Sequence, residues 1–295
     1  MMMPNLSRLL MVAGICVGLA GCGDSGSAPT PQAASTASSA ADNKKKAIGG
    51  ETSAAPATNL PDTAPVVKVV TTGKTQPLSF TDSNGSVAGF DIDVITKIGE
   101  VQGFKVQFHK RPWQMLFSDV GTKQNDLAIS GISYTNERAE KYALSDSYAI
   151  NQSELMFLDA SLKDKVKDLK SLKYITGLRV GALDGSKHAK QLANAGITDI
   201  KTYKTTYLLF TSLLRKETDV VAQDGILLNQ LAKEFKQPAY TVVYEKKEEP
   251  SAQLVILMAK DNEKLRASVN EGLAKIKQNG ELAKIQQKWL TAPNQ

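Results

Sequence analysis

The stretch DLAISGISYTNER, residues 126–138, decides how the rest of the chain is interpreted. Its first four residues, 126–129, predict a short strand that brings small polar residues to its carboxyl end. Thr135 and Asn136 are suitable N-cap residues for a helix that begins near Glu137. The stretch is therefore predicted to form a strand, a loop and the start of a helix.

The loop in this stretch contains hydrogen-bond donors that suit a carboxylate. Ser130, Gly131 and Ser133 supply hydroxyl and backbone N–H groups, and Arg138 follows five residues after Ser133. A ligand carboxylate is held by two or three such donors together with a planar, bidentate cation. The alternative interpretation is that the serines only form a turn and that Arg138 lies on a helix surface.

The wider sequence resembles the polar amino acid family of bacterial extracellular solute-binding proteins, family 3. The resemblance covers residues 66–290 and rests on segments in the family's order: GFDID at 89–93, the stretch at 126–138, SDSY at 145–148 and VAQD at 221–224. It implies a two-lobed α/β fold of the periplasmic-binding-protein type (type II). Each lobe is expected to be a mostly parallel sheet flanked by helices, and two hinge crossings are expected to join the lobes.

The order of the predicted elements supports the α/β class without the resemblance. A β-branched run at 66–72 precedes a helical pattern at 91–102, and strands and helices continue to alternate, which favours parallel strands. The resemblance then implies the following division: lobe 1 at residues 65–150 and 253–295, and lobe 2 at residues 151–252.

The first 64 residues are predicted to lie outside the two lobes. Residues 1–21 place Arg8 before an apolar run that is shorter than the roughly 20 residues of a membrane span, which is typical of a signal peptide. The run ends in LAGC at 19–22, which resembles a lipobox and implies a lipoprotein with a lipid anchor, palmitate included, at Cys22. An ordinary cleaved signal with an incidental cysteine is the alternative. Residues 22–64, rich in Gly, Ser, Ala, Thr and Pro, predict a flexible tether.

Three residues outside the opening stretch complete the expected site in the second half of the chain. Ser186 follows a strand and begins a helix, where free N–H groups favour anions, and the resemblance implies that this loop also touches a ligand carboxylate. Lys187 is expected to point to solvent; otherwise it places a positive charge near the ligand and favours an acidic one. Asp224 ends a strand, where open α/β sheets bind ligands, although it could instead be a helix N-cap. The resemblance assigns the ligand's α-amino group to Asp224.

In the first lobe, Trp113 precedes the apolar part of a short predicted helix. Core packing is one interpretation of this residue, and the resemblance implies contact with the ligand's side chain as the other. Two departures from the family also concern that side chain. Thr75 stands where many members have an aromatic residue, and Thr72 stands where binders of cationic amino acids tend to have an acid. The absence of that acid argues against arginine, lysine or histidine as the ligand.

These residues imply a binding protein and not an enzyme. One lobe holds the ligand's carboxylate at Arg138, the other holds its ammonium at Asp224, and closure about crossings near 150–151 and 251–252 buries both charges. The resemblance implies a monomer outside the cytoplasmic membrane, in the periplasm or at the cell surface. It would deliver a polar or acidic amino acid to the permease of an ABC transporter. A sensor without transport, or a dehydratase with a general acid or base, is the alternative.

Composition argues against other classes of function. The net charge of +6 comes from scattered basic residues, and no basic block is longer than the three lysines at 44–46, so nucleic acid is not an expected partner. Cys16 and Cys22 both lie in the predicted leader, which leaves no thiol for a disulfide or metal site in the lobes. With only His109 and His188, no metal, cofactor or histidine-based triad is expected.

Overall fold

The computed structural model of the protein describes residues 51–53 and 59–290. The predicted signal peptide at 1–21, the lipidation site Cys22 and most of the predicted tether lie outside the described residues. The strands are β1 Glu51–Ser53, β2 Val66–Thr71, β3 Lys74–Thr75, β4 Ser79–Thr81, β5 Val87–Ala88, β6 Lys105–Lys110, β7 Leu127–Ala128, β8 Tyr142–Leu144, β9 Ala149–Ile150, β10 Ser153–Phe157, β11 Val180–Leu183, β12 Ile200–Tyr203, β13 Val220–Asp224, β14 Tyr240–Val243, β15 Gln253–Leu254 and β16 Leu257–Ala259. The α-helices are α1 Phe90–Gln102, α2 Trp113–Gly121, α3 Asn136–Lys141, α4 Lys187–Asn194, α5 Thr206–Leu214, α6 Gly225–Glu234, α7 Glu263–Gln278 and α8 Glu281–Leu290.

The first lobe is built on a sheet with the strand order β1-β6-β2-β7-β16-β8. β2 runs parallel to β6 and β7, whereas β16 is antiparallel to β7 and β8. Alternate side chains of β2 enter two buried clusters, Val69 with α1, α7 and α8, and Val70 with α2. Because helices cover both faces of the sheet at β2, the sequence of this strand is a nearly continuous run of β-branched residues.

The second lobe is built on a sheet with the order β12-β11-β13-β10-β14. β11 is parallel to β12 and β13, and β10 is antiparallel to β13 and β14. In β13, Val220 and Ala222 enter one buried cluster and Val221 enters the other, which α5 and α6 complete. The predicted α/β class with two lobes is therefore confirmed.

The chain passes between the two sheets twice, and the two passages pair with each other. β9 leaves the first lobe and β15 returns to it, with Ile150 opposite Gln253 in an antiparallel register. The first strand after each passage, β10 or β16, enters its sheet against the direction of the parallel strands. Each sheet is consequently mixed: four of the six strands in the first sheet and four of the five in the second share one direction, and β1, β10 and β16 run against it.

One difference from the sequence analysis lies near the start of the described chain. β1 falls within residues 22–64, the segment predicted to be a tether, yet its backbone pairs with β6. Composition did not indicate this strand because a ladder needs only backbone groups, and β6 would otherwise present an unpaired edge. The small sheet β3-β4-β5 then follows β2 and carries Lys74 and Thr75.

Candidate functional site

A cavity of about 370 Å³ lies between loops of the two lobes. This volume is within the range of small-molecule sites, roughly 300–1,000 Å³. All eight residues that the sequence indicated as ligand contacts line it: Trp113, Ser130, Gly131, Ser133 and Arg138 from the first lobe, and Ser186, Lys187 and Asp224 from the second. The fold thus brings together two groups of residues that are distant in the sequence.

Arg138 is positioned by the cap of helix α3. The Thr135 side chain accepts a hydrogen bond from the Arg138 backbone N–H at 3.1 Å, as its predicted N-cap role requires. The guanidinium turns back, and its Nη1 donates to the Ser133 carbonyl oxygen at 2.6 Å. It also lies 5.6 Å from the ring centroid of Trp113 and 5.0 Å from that of Phe117. Two aromatic faces and one carbonyl therefore hold the cation in place.

The charge of Arg138 is buried without a matching acid. Its side chain makes no ion pair with any carboxylate of the described residues. Burial lowers the pKa of Arg138 to about 10, while the negative charge of Asp224 acts in the opposite direction. The guanidinium remains protonated at neutral pH, so it presents an uncompensated positive charge to the cavity.

Trp113 has the predicted packing role and also borders the cavity, while its contact with a ligand's side chain stays a prediction. Its ring packs against buried clusters of both lobes, and it also lines the cavity. Its indole Nε1 is buried and has no hydrogen-bond partner within the described part of the chain. A buried indole N–H normally has a partner, so this atom is a further donor for a bound molecule.

Asp224 ends strand β13 and occupies the N-cap position of α6, but its side chain makes no capping hydrogen bond. Its Oδ1 lies 3.3 Å from His188 Nε2 and 3.8 Å from Lys187 Nζ, and among the described residues it has no hydrogen-bond partner. Burial opposes ionisation of Asp224, but the charges of His188, Lys187 and Arg138 outweigh burial and hold the pKa of the carboxyl below its usual value. A buried, ionised oxygen without a partner favours binding of a donor.

Lys187 does not point to solvent, and that expectation is wrong. Its side chain is buried, its Nζ donates to Glu245 Oε2 at 2.7 Å, and it also donates to the Ser251 carbonyl oxygen. Glu245 is itself buried and accepts from Ser153 Oγ at 2.6 Å. A buried carboxylate needs a nearby cation, which explains why Lys187 turns inward. Because Glu245 neutralises it, Lys187 gives no reason to expect an acidic ligand.

The sequence analysis did not assign His188 to the site. This residue is buried beside Lys187 in helix α4, lines the cavity and shares its Nδ1 with Tyr244 Oη at 2.8 Å. Its Nε2 faces Asp224. The one sequence signal for a role of His188 in the site was its position directly after Ser186 and Lys187. The periodicity of α4 did not predict which face of the helix is buried.

Asp91 was also missed as a support of the site. Its Oδ2 accepts the Gly131 backbone N–H at 2.7 Å, and its Oδ1 accepts the Tyr148 hydroxyl at 2.8 Å. Burial raises the pKa of Asp91 to about 7, although both hydrogen bonds oppose that shift. Asp91 reaches the loop because Gly89 adopts a φ of +127°, where an added Cβ would lie 2.4 Å from the Leu78 carbonyl oxygen.

These bonds change what the predicted loop can offer a ligand. The N–H of Gly131 is already used by Asp91, so Gly131 lines the cavity without a free donor. The Ser130 hydroxyl is 2.8 Å from Thr72 Oγ1, and the Ser186 hydroxyl accepts the Ala189 N–H at 3.3 Å as the N-cap of α4. Arg138 is consequently the main group for an anion on this side of the cavity.

Other kinds of site find little support in the part of the chain that the structure describes. There, no group of three or more His, Cys, Asp or Glu side chains is arranged to hold a metal ion. None of the helices within residues 59–290 has the length and apolar character that a membrane crossing requires.

Comparison with known proteins connects this geometry to one family. The sequence model of the bacterial extracellular solute-binding proteins, family 3, matches residues 67–292. A probable amino-acid-binding protein, YxeM, of Bacillus subtilis is 27% identical over 233 residues, which cover 76% of this chain and 83% of that protein. A probable histidine-binding protein of Neisseria gonorrhoeae is 25% identical over 241 residues, covering 81% and 87%.

A solved structure gives the same picture for the fold. An ancestral arginine-binding protein bound to arginine matches with a TM-score of 0.69 and 26% identity, covering 77% of this chain and 98% of that one. The match extends over both lobes and confirms the two-lobed α/β fold that the sequence resemblance implied.

Proposed function

The chain belongs to the bacterial extracellular solute-binding proteins, family 3, and on this premise we propose that its cavity binds an α-amino acid by both ends of the zwitterion. One observation carries the proposal. Arg138 of the first lobe and Asp224 of the second are both buried, both line the same cavity, and neither pairs with the other. An α-carboxylate supplies the counter-charge that Arg138 lacks, and an α-ammonium supplies the donor that Asp224 Oδ1 lacks among the described residues.

The neighbouring groups support this orientation of the ligand. Asp224 Oδ1, which has no hydrogen-bond partner within the described chain, accepts from the ammonium. The guanidinium of Arg138 donates to the carboxylate, with the serine hydroxyls of residues 130, 133 and 186 around it. The Trp113 ring, which already packs on Arg138, contacts the rest of the ligand. The names of the relatives are consistent with an amino acid ligand.

Binding and closure of the lobes are coupled in this proposal. The two charges belong to different lobes, so in an open cleft the ligand can contact Arg138 or Asp224 but not both. The lobes, at residues 65–150 with 253–295 and at 151–252, move about the paired strands β9 and β15. Closure is favourable only with ligand present, because an empty closed cavity buries unpaired charges.

The cellular role follows from the family and from the amino-terminal sequence. We place the protein outside the cytoplasmic membrane as a monomeric lipoprotein, with a signal peptide at 1–21, a lipid on Cys22 and a tether after it. In this position it delivers its amino acid to the permease subunits of an ABC importer. A sensor that is not coupled to import, and a dehydratase that uses Asp224 and His188, are the competing functions.

The test of the binding function is a thermal-shift screen of the purified protein against the twenty amino acids and cystine. A ligand stabilises the native state by mass action, by about 2.7 kcal/mol at a concentration one hundred times its Kd. We expect at least one α-amino acid to raise the Tm, and its analogues without the α-amino or α-carboxyl group to have no effect. A protein that responds to none of them contradicts the proposal, and recovery of a chemically altered compound supports the dehydratase.

A further inference from the structure

We propose that the amino acid is acidic and that Lys74 binds its side-chain carboxylate. The inference rests on the proposed function and names the class of ligand within it. It comes from the charges that line the cavity, because the ligand must supply the counter-charges that the protein does not.

The charges of the cavity wall are strongly unequal in sign. Of the described residues that line it, five are lysine or arginine, one is histidine and one is acidic, namely Lys74, Arg111, Arg138, Lys187 and Lys204, with His188, against Asp224. A cationic side chain on the ligand would meet no second acid here, and it would face several positive charges. Arginine, lysine and their analogues are therefore disfavoured by electrostatics.

Three of the five basic side chains are already neutralised by acids behind the wall. Arg111 Nε lies 2.9 Å from Asp119 Oδ2, Lys187 Nζ lies 2.7 Å from Glu245 Oε2, and Lys204 Nζ lies 2.5 Å from Asp184 Oδ2. These pairs leave little net charge for a ligand. What remains after them is Arg138, Lys74 and Asp224, the last with His188 Nε2 at 3.3 Å from its Oδ1.

Arg138 and Lys74 are the two basic side chains of the wall that pair with no acid among the described residues. Two positive charges and one negative charge are complementary to a ligand with two carboxylates and one ammonium. Since Arg138 and Asp224 face the two α-substituents, the second carboxylate belongs to the side chain. Glutamate and aspartate have this composition, and their amides and the cationic amino acids do not.

Three hydroxyl groups of the first lobe form a row on the wall of the cavity. Ser130, next to the carboxylate-binding loop, bonds Thr72 at 2.8 Å between hydroxyl oxygens, and Thr72 bonds Thr75 at 3.1 Å. Lys74 directly precedes Thr75 in strand β3. The row makes this part of the wall polar, and Lys74 is an exposed lining residue whose long, flexible stem can bring its ammonium to a ligand's side chain.

The experiment compares isosteric pairs of ligands by titration calorimetry: glutamate with glutamine, and aspartate with asparagine. Members of each pair differ by one charge and almost nothing in shape. We expect the wild-type protein to prefer an acidic amino acid over its own amide by at least about tenfold in Kd.

Substitutions of Lys74 assign the preference to this residue. Lys74→Met keeps the length of the side chain and removes its charge, and it should weaken binding of the acidic ligand about 5- to 50-fold while changing the Kd of its amide less than about threefold. Lys74→Glu should reverse the preference in favour of the amide. Lys68→Met is the matched control, because Lys68 is also exposed in the first lobe but does not line the cavity.

The outcomes separate this inference from the proposed function. If a neutral or cationic amino acid binds more tightly than the acidic ones, or if Lys74→Met weakens both members of a pair equally, the inference is wrong while amino acid binding stands. If no amino acid binds at all, both are wrong. If Lys68→Met weakens binding as much as Lys74→Met does, the effect comes from the general surface charge, and the inference is also wrong.

Discussion

Lys187 Nζ lies 2.7 Å from Glu245 Oε2, and both side chains are buried next to the passage by which the chain returns to the first lobe. The Lys187 Nζ is also 3.8 Å from Asp224 Oδ1 in the cavity. Burial opposes ionisation of Glu245, but the charge and hydrogen bond of Lys187 outweigh burial and lower the pKa of the carboxyl. One ion pair thus links the ligand-facing end of the second lobe to the inter-lobe passage.

The first prediction concerns this pair and the free energy of unfolding. Glu245→Gln and Lys187→Met should each destabilise the protein by about 3–5 kcal/mol, because each leaves a buried charge without its partner. The double variant should cost clearly less than the sum of the two. Urea unfolding of the four proteins measures this cycle, and additive effects would show that the two charges do not depend on each other.

The second prediction concerns the two ends of the ligand. Arg138→Ala and Asp224→Ala should each weaken binding of the best ligand from the screen by about 2–5 kcal/mol, since the opposite charge of the ligand is then buried unpaired. Calorimetry measures the loss. Arg215→Ala, which removes an exposed arginine of the second lobe, serves as the control with unchanged affinity. An Arg138 or Asp224 variant that binds like this control would remove that residue from the site.

The third prediction follows from Asp91, whose pKa is raised by burial from its usual 3.8 to about 7. Between these values the unfolded chain has lost a proton that the native state keeps. The free energy of unfolding must therefore fall as the pH rises, by up to about 1.4 kcal/mol per pH unit, and then level off above the native pKa.

Asp91→Asn tests this dependence because asparagine keeps an oxygen for the Gly131 N–H and does not titrate. Its unfolding free energy should change less between pH 4 and 7 than that of the wild type, with roughly the same affinity for the ligand. Parallel pH profiles for both proteins would mean that Asp91 ionises in the native state as it does in the unfolded chain.

The fourth prediction concerns a contact between the two lobes, where Lys190 of α4 pairs with Glu137 of α3 beside a second cleft. Both side chains are exposed, so the pair adds little to closure and is screened by salt. Lys190→Met should weaken ligand binding by no more than about fivefold at low salt, and the difference should vanish near 1 M salt. A loss that persists at high salt would point to packing of the lysine stem and not to its charge.

Much of this architecture was accessible from local patterns. The alternation of strands and helices predicts the α/β class, and Thr135 was identified correctly as the N-cap before Arg138. These features depend on residues within a few positions of each other, so the chain itself carries them.

Long-range partners were not accessible in this way. Lys187 was expected in solvent, yet its Nζ donates to Glu245, which lies 58 residues later in the chain. Gly131 was expected to offer its N–H to the ligand, but Asp91, 40 residues earlier, accepts it first. Both outcomes follow from burial, because a buried polar group is normally hydrogen-bonded, and here the available partner lies far away in the sequence.

By itself, then, the sequence determined which side chains and turns could meet an anion and a cation, because caps, strand ends and donor types are local properties. Only the tertiary structure decided which of those groups are still free when the lobes are assembled. Arg138 faces the cavity without an acid, and Asp224 Oδ1 faces it without a hydrogen-bond partner among the described residues, whereas Lys187 is paired with Glu245. The charge that a buried site offers to a ligand depends on all the charged groups around it, and the fold determines which groups those are.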